Sequence, residues 1–369
     1  MRLSSHLRKA LIGAASLCVL AGCAGEQGAG GAVERSGQGS AERPAAKRPA
    51  SGTDLPVRTG ARDVVHTDTD HRSYKVRIAV ESLVRGSQQD MRGARVDQAL
   101  QGKVPHYLTL KVTNTGREEI PSAYMVDSDL VLNGTDWTRG EKVHVSGGGA
   151  GREGLPCADD APTALAPGDS YTTCVTYVLS EGVGVLSLAH YAGGYLNEGG
   201  AVATWPVEGG LEAASAGLAE PGDISRVRWD AREDGIVELP ATVVSVRRGR
   251  PADLAGLGLV RGDNERRGVP YYVTVTYTNP GPGNLYTDQA KHVRLLTGNG
   301  RQIPGKTPYT PDAKIPGCPT DWVARMIPPG DSVTECSIHL LTDDSDKPFA
   351  VGFAQPGGAG LAIWRAPLH

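Results

Sequence analysis

The sequence predicts an all-β chain in which two antiparallel β-sandwich domains follow one another behind a short apolar leader and a polar segment. Three observations predict this. One block of strand-like sequence occurs twice in the same order, its apolar residues alternate with period two, and Pro, Gly and Asn close the blocks as turns.

The repeat is clearest where Val104–Gly116 (VPHYLTLKVTNTG) meets Val269–Gly281 (VPYYVTVTYTNPG), identical at seven of thirteen positions with an offset of 165. Ahead of it VESLVRG at 80–86 resembles VVSVRRG at 243–249. Behind it LAPGDSYTTCVTYVL at 165–179 resembles IPPGDSVTECSIHLL at 327–341, and Trp205 and Trp364 stand near the two ends. A period of about 160 residues is too long for a solenoid unit, which repeats every ~20–50 residues. The expected organisation is therefore two copies of one domain, 64–207 and 226–369. Between them 208–225 reads as a linker or a short helical turn.

Each element follows from local chemistry. Val76, Ile78 and Val80 alternate with Arg77, Ala79 and Glu81; Leu108, Leu110 and Val112 alternate with Thr109, Lys111 and Thr113. Val273, Val275 and Tyr277 do the same in the second copy. That is the period of a half-buried strand. Pro-Gly-Asp at 167–169 and 329–331 suits a type II turn, in which glycine supplies the positive φ. After it Thr334, Cys336, Ile338 and Leu340 share one face, which predicts an inward-looking cysteine. Thr172, Cys174, Thr176 and Val178 make a less apolar version of that face. Only 88–101 and 210–219 suggest helix, and weakly.

The leader carries Arg2, Arg8 and Lys9 before the apolar run Ala10–Leu20, then Leu20-Ala-Gly-Cys23. The run is too short to span a bilayer, which takes ~20 apolar residues, and fits a signal peptide over 1–22. The tetrapeptide resembles the lipobox of bacterial lipoproteins. That resemblance implies cleavage before Cys23, a diacylglyceryl group on its sulfur and a place on the extracytoplasmic face of the cell membrane. Two acyl chains anchor stably where one is marginal. Residues 23–63 are rich in Gly, Ala, Ser, Pro and charge, the composition of a disordered tether.

Of the six cysteines, Cys18 leaves with the leader and Cys23 takes lipid. Cys157 with Cys174, and Cys318 with Cys336, form equivalent pairs, so a disulfide within each copy is expected; an exported location permits it. Closing such a loop contributes ~3 kcal/mol in the chain-entropy account. Metal binding by these cysteines lacks the CxxC spacing.

Tyr107 to Gly116 with Pro167 to Thr172, and Tyr272 to Gly281 with Pro329 to Thr334, carry the pattern aromatic-x-Thr-x-x-x-Thr-Asn-x-Gly followed by Pro-Gly-Asp-Ser-x-Thr. This resembles the telokin-like, immunoglobulin-like domains of Gram-positive lipoproteins. The resemblance covers the middle of each copy and implies a sandwich. It brings over no functional residue.

A net charge of −3 leaves no basic footprint for nucleic acid; the clusters Arg247, Arg248, Arg250 and Arg261, Arg266, Arg267 read as loop charge. No G-x-S-x-G, H-E-x-x-H, P-loop or dinucleotide fingerprint occurs. His66-Thr-Asp68-Thr-Asp70-His71 has metal-ligand residue types but reads better as a solvated polar segment. Asp343, Asp344 and Asp346 lack the pattern of a calcium loop, and Asp159 and Asp160 read as loop charge. His106, His190 and His339 fall in strands as structural or surface histidines. Tyr107, Tyr191, Tyr195, Tyr271 and Tyr272 are candidates for an aromatic patch, or for plain core. The expectation is a non-catalytic binding or interaction module without cofactor, its partners the membrane through the lipid on Cys23 and an envelope protein. The alternatives are a sensory accessory that binds an ion or small ligand, and an envelope hydrolase. Loops 138–156 and 299–317 differ most between the copies and are the candidates for specificity.

Overall fold

A computed structural model of the chain describes residues 52–366 except 59, 69–71, 92–97, 101, 122, 144–156, 158–161, 192–200, 232–234, 256, 258–267, 287–288, 307–314, 316, 319–325, 342–346 and 355–360. The expected signal peptide, Cys23 and the expected tether as far as residue 51 lie outside the described residues, as do Asp70, His71, Asp159, Asp160, Tyr195, Asp343, Asp344, Asp346 and the second arginine cluster. Among the described residues no helix is long and apolar enough to cross a membrane.

The fold is all-β and antiparallel. The first copy runs β1 (Thr53–Asp54), β2 (Arg62–Thr67), β3 (Ser73–Arg85), β4 (Val104–Asn114), β5 (Ile120–Pro121), β6 (Leu130–Gly134), β7 (Glu141–Lys142), β8 (Ala164–Leu165), β9 (Ser170–Leu179), β10 (Val185–Tyr191) and β11 (Ala201–Pro206). One turn of helix, α1 (Gly210–Ser215), follows. The second copy runs β12 (Ser225–Asp230), β13 (Ile236–Arg248), β14 (Val269–Thr278), β15 (Leu285–Tyr286), β16 (Val293–Thr297), β17 (Gln302–Pro304), β18 (Met326–Ile327), β19 (Ser332–Leu341), β20 (Pro348–Ala354) and β21 (Leu361–Arg365).

The copies share one topology. A sheet β1-β3-β4-β9-β7, with β2 also on β3, matches β12-β13-β14-β19. A second sheet β11-β10-β6 matches β21-β20-β16, which adds β17, and the two-residue pair β5-β8 matches β15-β18. In each copy both sheets feed one apolar cluster. Val76, Ile78, Leu108, Leu110 and Tyr177 meet Leu132, Leu188 and Trp205 in the first. Leu239, Val273, Val275 and Tyr277 meet Leu295, Val351, Phe353 and Trp364 in the second. Equivalent register shifts, between Val80 and Ser82 on β3 and between Val243 and Ser245 on β13, reverse the strand parity. Leu83 and Val246 thereby point into the cores.

Two expectations change. The tether does not run to residue 63. β1 pairs with β3, the Arg58 N–H donates to Pro206 O at 2.9 Å, and Leu55 and Val57 pack on the first core. Two apolar side chains in a polar stretch are invisible to composition but enough to fasten it. The predicted inward face of β19 is also inverted. Val333 and Leu341 face the main core, while Cys336, Ile338 and Leu340 join Leu254, Leu257, Tyr272 and Ile315 in a smaller cluster. β9 follows suit, sending Tyr171, Val175, Tyr177 and Leu179 to the core. Periodicity finds two faces but does not rank them when both are buried.

The Pro-Gly-Asp corners hold Gly168 and Gly330 at φ 84° and 79°, as a type II turn requires. A buried asparagine ties each corner down. Asn114 Nδ2 donates to Glu118 O (2.8 Å) and Leu165 O (2.9 Å), and its Oδ1 accepts from the Gly116 N–H (2.9 Å). Asn279 repeats this with Gly283 O (2.7 Å), Ile327 O (2.8 Å) and the Gly281 N–H (2.9 Å). The main chain adds Gly168 N to Asn114 O and Gly330 N to Asn279 O, both 2.9 Å. Replacing a hydrogen-bonded buried group leaves its partners unsatisfied at ~1–3 kcal/mol each. Asn114→Ala and Asn279→Ala should each destabilise the fold by about 2–4 kcal/mol, measured as a lower urea midpoint with tryptophan fluorescence. A change under about 0.5 kcal/mol, the range of neutral surface substitutions, removes the asparagine from this role.

Candidate functional site

The two cysteine pairs lie at disulfide distance, with Cα atoms 5.0 Å apart for Cys157 and Cys174 and 5.7 Å for Cys318 and Cys336. Each pair sits outside the main core, Cys174 beside Val84 and Tyr107 and Cys336 beside Tyr272. The long loops before the Pro-Gly-Asp corners are thus pinned to the outer faces of β9 and β19.

The starts of the two predicted specificity loops are not free. They meet each other where the copies join. The hairpin tips Gly134–Thr138 and Thr297–Arg301 are equivalent turns: Trp137 N donates to Gly134 O and Gly300 N to Thr297 O, both at 2.9 Å. Trp137 of the first copy stacks on Phe349 of the second, ring centroids 6.3 Å apart. Gly300 of the second packs on Leu186 and Ser187 of the first. Leu186 and Phe349 occupy the same place in β10 and β20, so the contact has a pseudo-two-fold relation. Gln302 Nε2 donates to Trp137 O (3.2 Å), and Asn133 Nδ2 donates to Ser187 Oγ (3.1 Å) and Gly300 O (3.4 Å). Leu186, Ala214 and Leu218 close the seam against Leu296, Ala350 and Ile363. Asn133, the residue of the Asn-Gly-Thr sequon, is fully buried here. Trp137 holds φ 63° and Gly300 φ 87°. A bulky residue in the left-handed region costs about 1–3 kcal/mol, a cost offset by burying the indole.

Two clefts open among the described residues. One of about 430 Å³ lies at the seam, lined by Arg58 from the leading segment, Glu208 and Glu212 from the linker, and Asn299 and Lys347 from the second copy. The other, about 500 Å³, lies between Val237–Glu238, Asn279–Gly283 and Leu285. Its cause is local. In the first copy Thr115 N–H donates to Lys75 O at 3.0 Å and closes the sheet edge. Pro280 stands in the place of Thr115 and has no N–H. The β13–β14 ladder accordingly ends at Ala241 and Tyr277, two pairs short of Val76 and Asn114 in β3–β4.

The sharpest chemical difference between the copies is inside. His66 is not solvated but 2% exposed, and its Nδ1 lies 2.8 Å from Asp129 Oδ2. His190 Nε2 lies 3.8 Å from the same oxygen. Burial lowers the His190 pKa to about 4. Among the described residues neither ring nitrogen of His190 has a hydrogen-bond partner, nor has His66 Nε2. The same three positions of the second copy carry Trp229, His292 and Phe353, an aromatic cluster with centroids 5.0 and 5.7 Å apart. The equivalence is fixed by register: His190 pairs with Leu130 as Phe353 pairs with Val293, and Asp129 and His292 immediately precede those partners. Asp68 meanwhile accepts from Arg72 N (2.9 Å) and Tyr74 Oη (3.0 Å), closing the β2–β3 hairpin. Among the described residues no group of three His, Cys, Asp or Glu side chains is placed to hold a metal ion.

His106 and His339 are buried too. His339 Nδ1 lies 2.9 Å from Ile303 O, and its Nε2 lies 2.8 Å from Ser337 Oγ. This Ser-His pair ends on a backbone carbonyl rather than a carboxylate and lines neither cleft, so it ties β19 to β17. His106 Nδ1 lies 3.1 Å from Val104 O. Of the aromatic-patch candidates, Tyr107, Tyr191 and Tyr272 are buried. Tyr107 and Tyr272 reach Asp90 and Asp253, each at 3.4 Å, and Arg139 stands 5.4 Å over the Tyr191 ring. No family description, curated protein or solved structure matches the chain.

A Cβ on Gly300 overlaps Ser187 Oγ, and its φ disfavours any side chain. Gly300→Ala should cost about 1–3 kcal/mol and speed proteolytic cutting within 208–225; unchanged cutting and unfolding would show the seam to be loose. Burial also lowers the pKa of His106, His190 and His339 from 6.5 to about 4. Below pH 6.5 the unfolded chain takes up protons that the folded chain refuses until about pH 4. Stability held above pH 6.5 is therefore lost as the pH falls through that window. With three such groups the slope approaches about 4 kcal/mol per pH unit. Urea midpoints at several pH values read it directly, and a flat profile from pH 7 to 4.5 would place these rings in water.

Proposed function

We propose that the chain is a lipoprotein anchored through Cys23 to the extracytoplasmic face of a membrane, where two immunoglobulin-like β-sandwiches act as one non-catalytic binding or interaction module. What supports the sandwich reading is that two antiparallel sheets of each copy feed one core. The observation that carries the functional reading is the seam. Hairpin tips of both copies lock together, so the faces beside them have a fixed mutual geometry, as a surface that engages a partner across two domains needs. The leader and lipobox-like tetrapeptide carry the address.

The seam cleft favours a second reading, a sensory accessory that takes a small ligand. Its volume falls within the ~300–1,000 Å³ of ligand sites, which gather at domain junctions, and cations from two segments, Arg58 and Lys347, face acids from the linker.

Cys23→Ala should move the protein from the membrane fraction to the medium; retention in the membrane refutes the anchor. Crosslinking the lipidated protein in intact cells should recover one reproducible envelope protein, with the crosslinked residue locating the surface. Recovery of bulk envelope alone, together with a thermal shift by a small charged solute that Arg58→Ala and Lys347→Ala abolish, favours the second reading. The cysteine pairs are proposed to be oxidised. Intact mass should rise by two hydrogens per pair on reduction, and no rise means free thiols.

A further inference from the structure

Four observations converge on His66, Asp129 and His190. All three are buried, at 2%, 3% and 0% exposure. Both rings address one oxygen, His66 Nδ1 at 2.8 Å and His190 Nε2 at 3.8 Å. They come from three separate elements: β2, the turn before β6, and β10. The second copy shows that the frame accepts three aromatic rings at these positions.

We propose that this cluster is a proton-operated latch: a proton on His190 draws Asp129 Oδ2 away from His66 and releases the end of β2 from the first copy. With His190 neutral, Asp129 holds His66, and His66 holds the last turn of β2 against the core. A proton taken from solvent by the His190 ring makes an imidazolium 3.8 Å from Oδ2. Its N–H, otherwise without partner, competes for the oxygen as a charged donor, stronger than a neutral one. No bond to carbon changes; the step is one proton in and one hydrogen bond exchanged.

The groups that act on His190 are Asp129 and His66. Tyr74, on β3, stacks 6.5 Å from His66, but its hydroxyl is committed to Asp68. The fall in the His190 pKa to about 4 places the release in acid rather than at neutrality. What moves is the end of the segment that Trp205 holds through Gly60 O (2.7 Å) and that β1 holds through β3, so the release loosens one edge and leaves the second sheet closed.

Hydrogen exchange tests this on the intact chain. Protection of the β2 amides, corrected for intrinsic rates, should fall about tenfold or more relative to the equivalent β12 amides between pH 7 and pH 4, an exchange cost of ~1.4 kcal/mol. The β4 amides of the same copy should lose clearly less protection than the β2 amides, because the acid loss of global stability lowers both alike and the latch adds to β2 alone. His190→Phe, the residue of the second copy at this position, should abolish the difference. In the unaltered protein the His190 ring signals should titrate over the same pH range as the β2 loss. The latch is overturned if β2 and β12 stay in step, if β4 loses as much protection as β2, if His190→Phe preserves the acid response, or if the ring titrates outside that range.

Discussion

A buried carboxamide at the end of the central strand sets the frame on which everything else is hung. β4 and β14 are paired on both sides, and each must hand the chain to segments that return some fifty residues later as β9 or β19. Asn114 and Asn279 sit where the outgoing and returning chains pass. Each side chain donates to both segments and accepts from the turn between them. The ladder starts beside the tie, with Thr113 opposite Ser170 and Thr278 opposite Ser332. A slip of one residue would turn Tyr177 and Leu179 out of the core. A carboxamide suits the position because it carries two donors and an acceptor without charge, so its burial incurs no ionic desolvation.

Within that frame the copies have diverged where they touch each other and where they enclose side chains. At the seam, two-fold packing of equal tips would set two tryptophans against two aromatic platforms. The chain keeps one, Trp137 on Phe349, and reduces the other to Gly300 on Leu186 and Ser187. The asymmetry converts a self-complementary contact into one that fits only the two unlike copies. At the end of β14, Pro280 leaves β13 and β14 apart and opens a cleft where Thr115 closes the edge in the first copy. Both changes act through the backbone, one by a left-handed turn and one by a missing donor.

The frame was legible in the sequence because it is local and repeated. Alternation marked the central strands, Pro-Gly-Asp marked the corners, and cysteine spacings of 17 and 18 residues marked pairs that lie at disulfide distance. Short helix at 88–91, 98–100 and 210–215 fell within the two weak candidates. What escaped was relational. Nothing in 52–58 distinguishes Leu55 and Val57 from tether residues until the folded core gives both a surface to pack on and Val207, about 150 residues on, bridges to Val57. The true inner face of β19 carries Glu335, Ser337 and His339, a polar pattern that reads as solvent-facing until the backbone of β17 and the turn before β16 satisfy it. One signal for the His66 cluster did exist: aligning the copies sets His66, Asp129 and His190 against Trp229, His292 and Phe353, but only strand register makes those alignments secure.

That comparison also bears on why the polar cluster stands where it does. A buried carboxyl served by one ring, beside ring nitrogens with no partner among the described residues, is a poorer packing solution than three rings in edge and face contact. The second copy demonstrates the better solution in the same backbone, so core stability alone does not account for the first. Both rings of the polar set address one carboxylate oxygen, so neither histidine keeps that contact without Asp129. The three residues therefore function as a unit, and the unit lies in the copy that carries the leading strand, fastened from Thr53 to Thr67 by a chain of weak contacts along one edge. The buried charge-sensitive contact of that series is the last, where β2 turns back into β3. Acid thus acts there on the end of an edge strand whose other ties are backbone and indole hydrogen bonds, which do not titrate, and the exposed Asp63–Arg77 pair, in which Arg77 holds the carboxyl below its usual range.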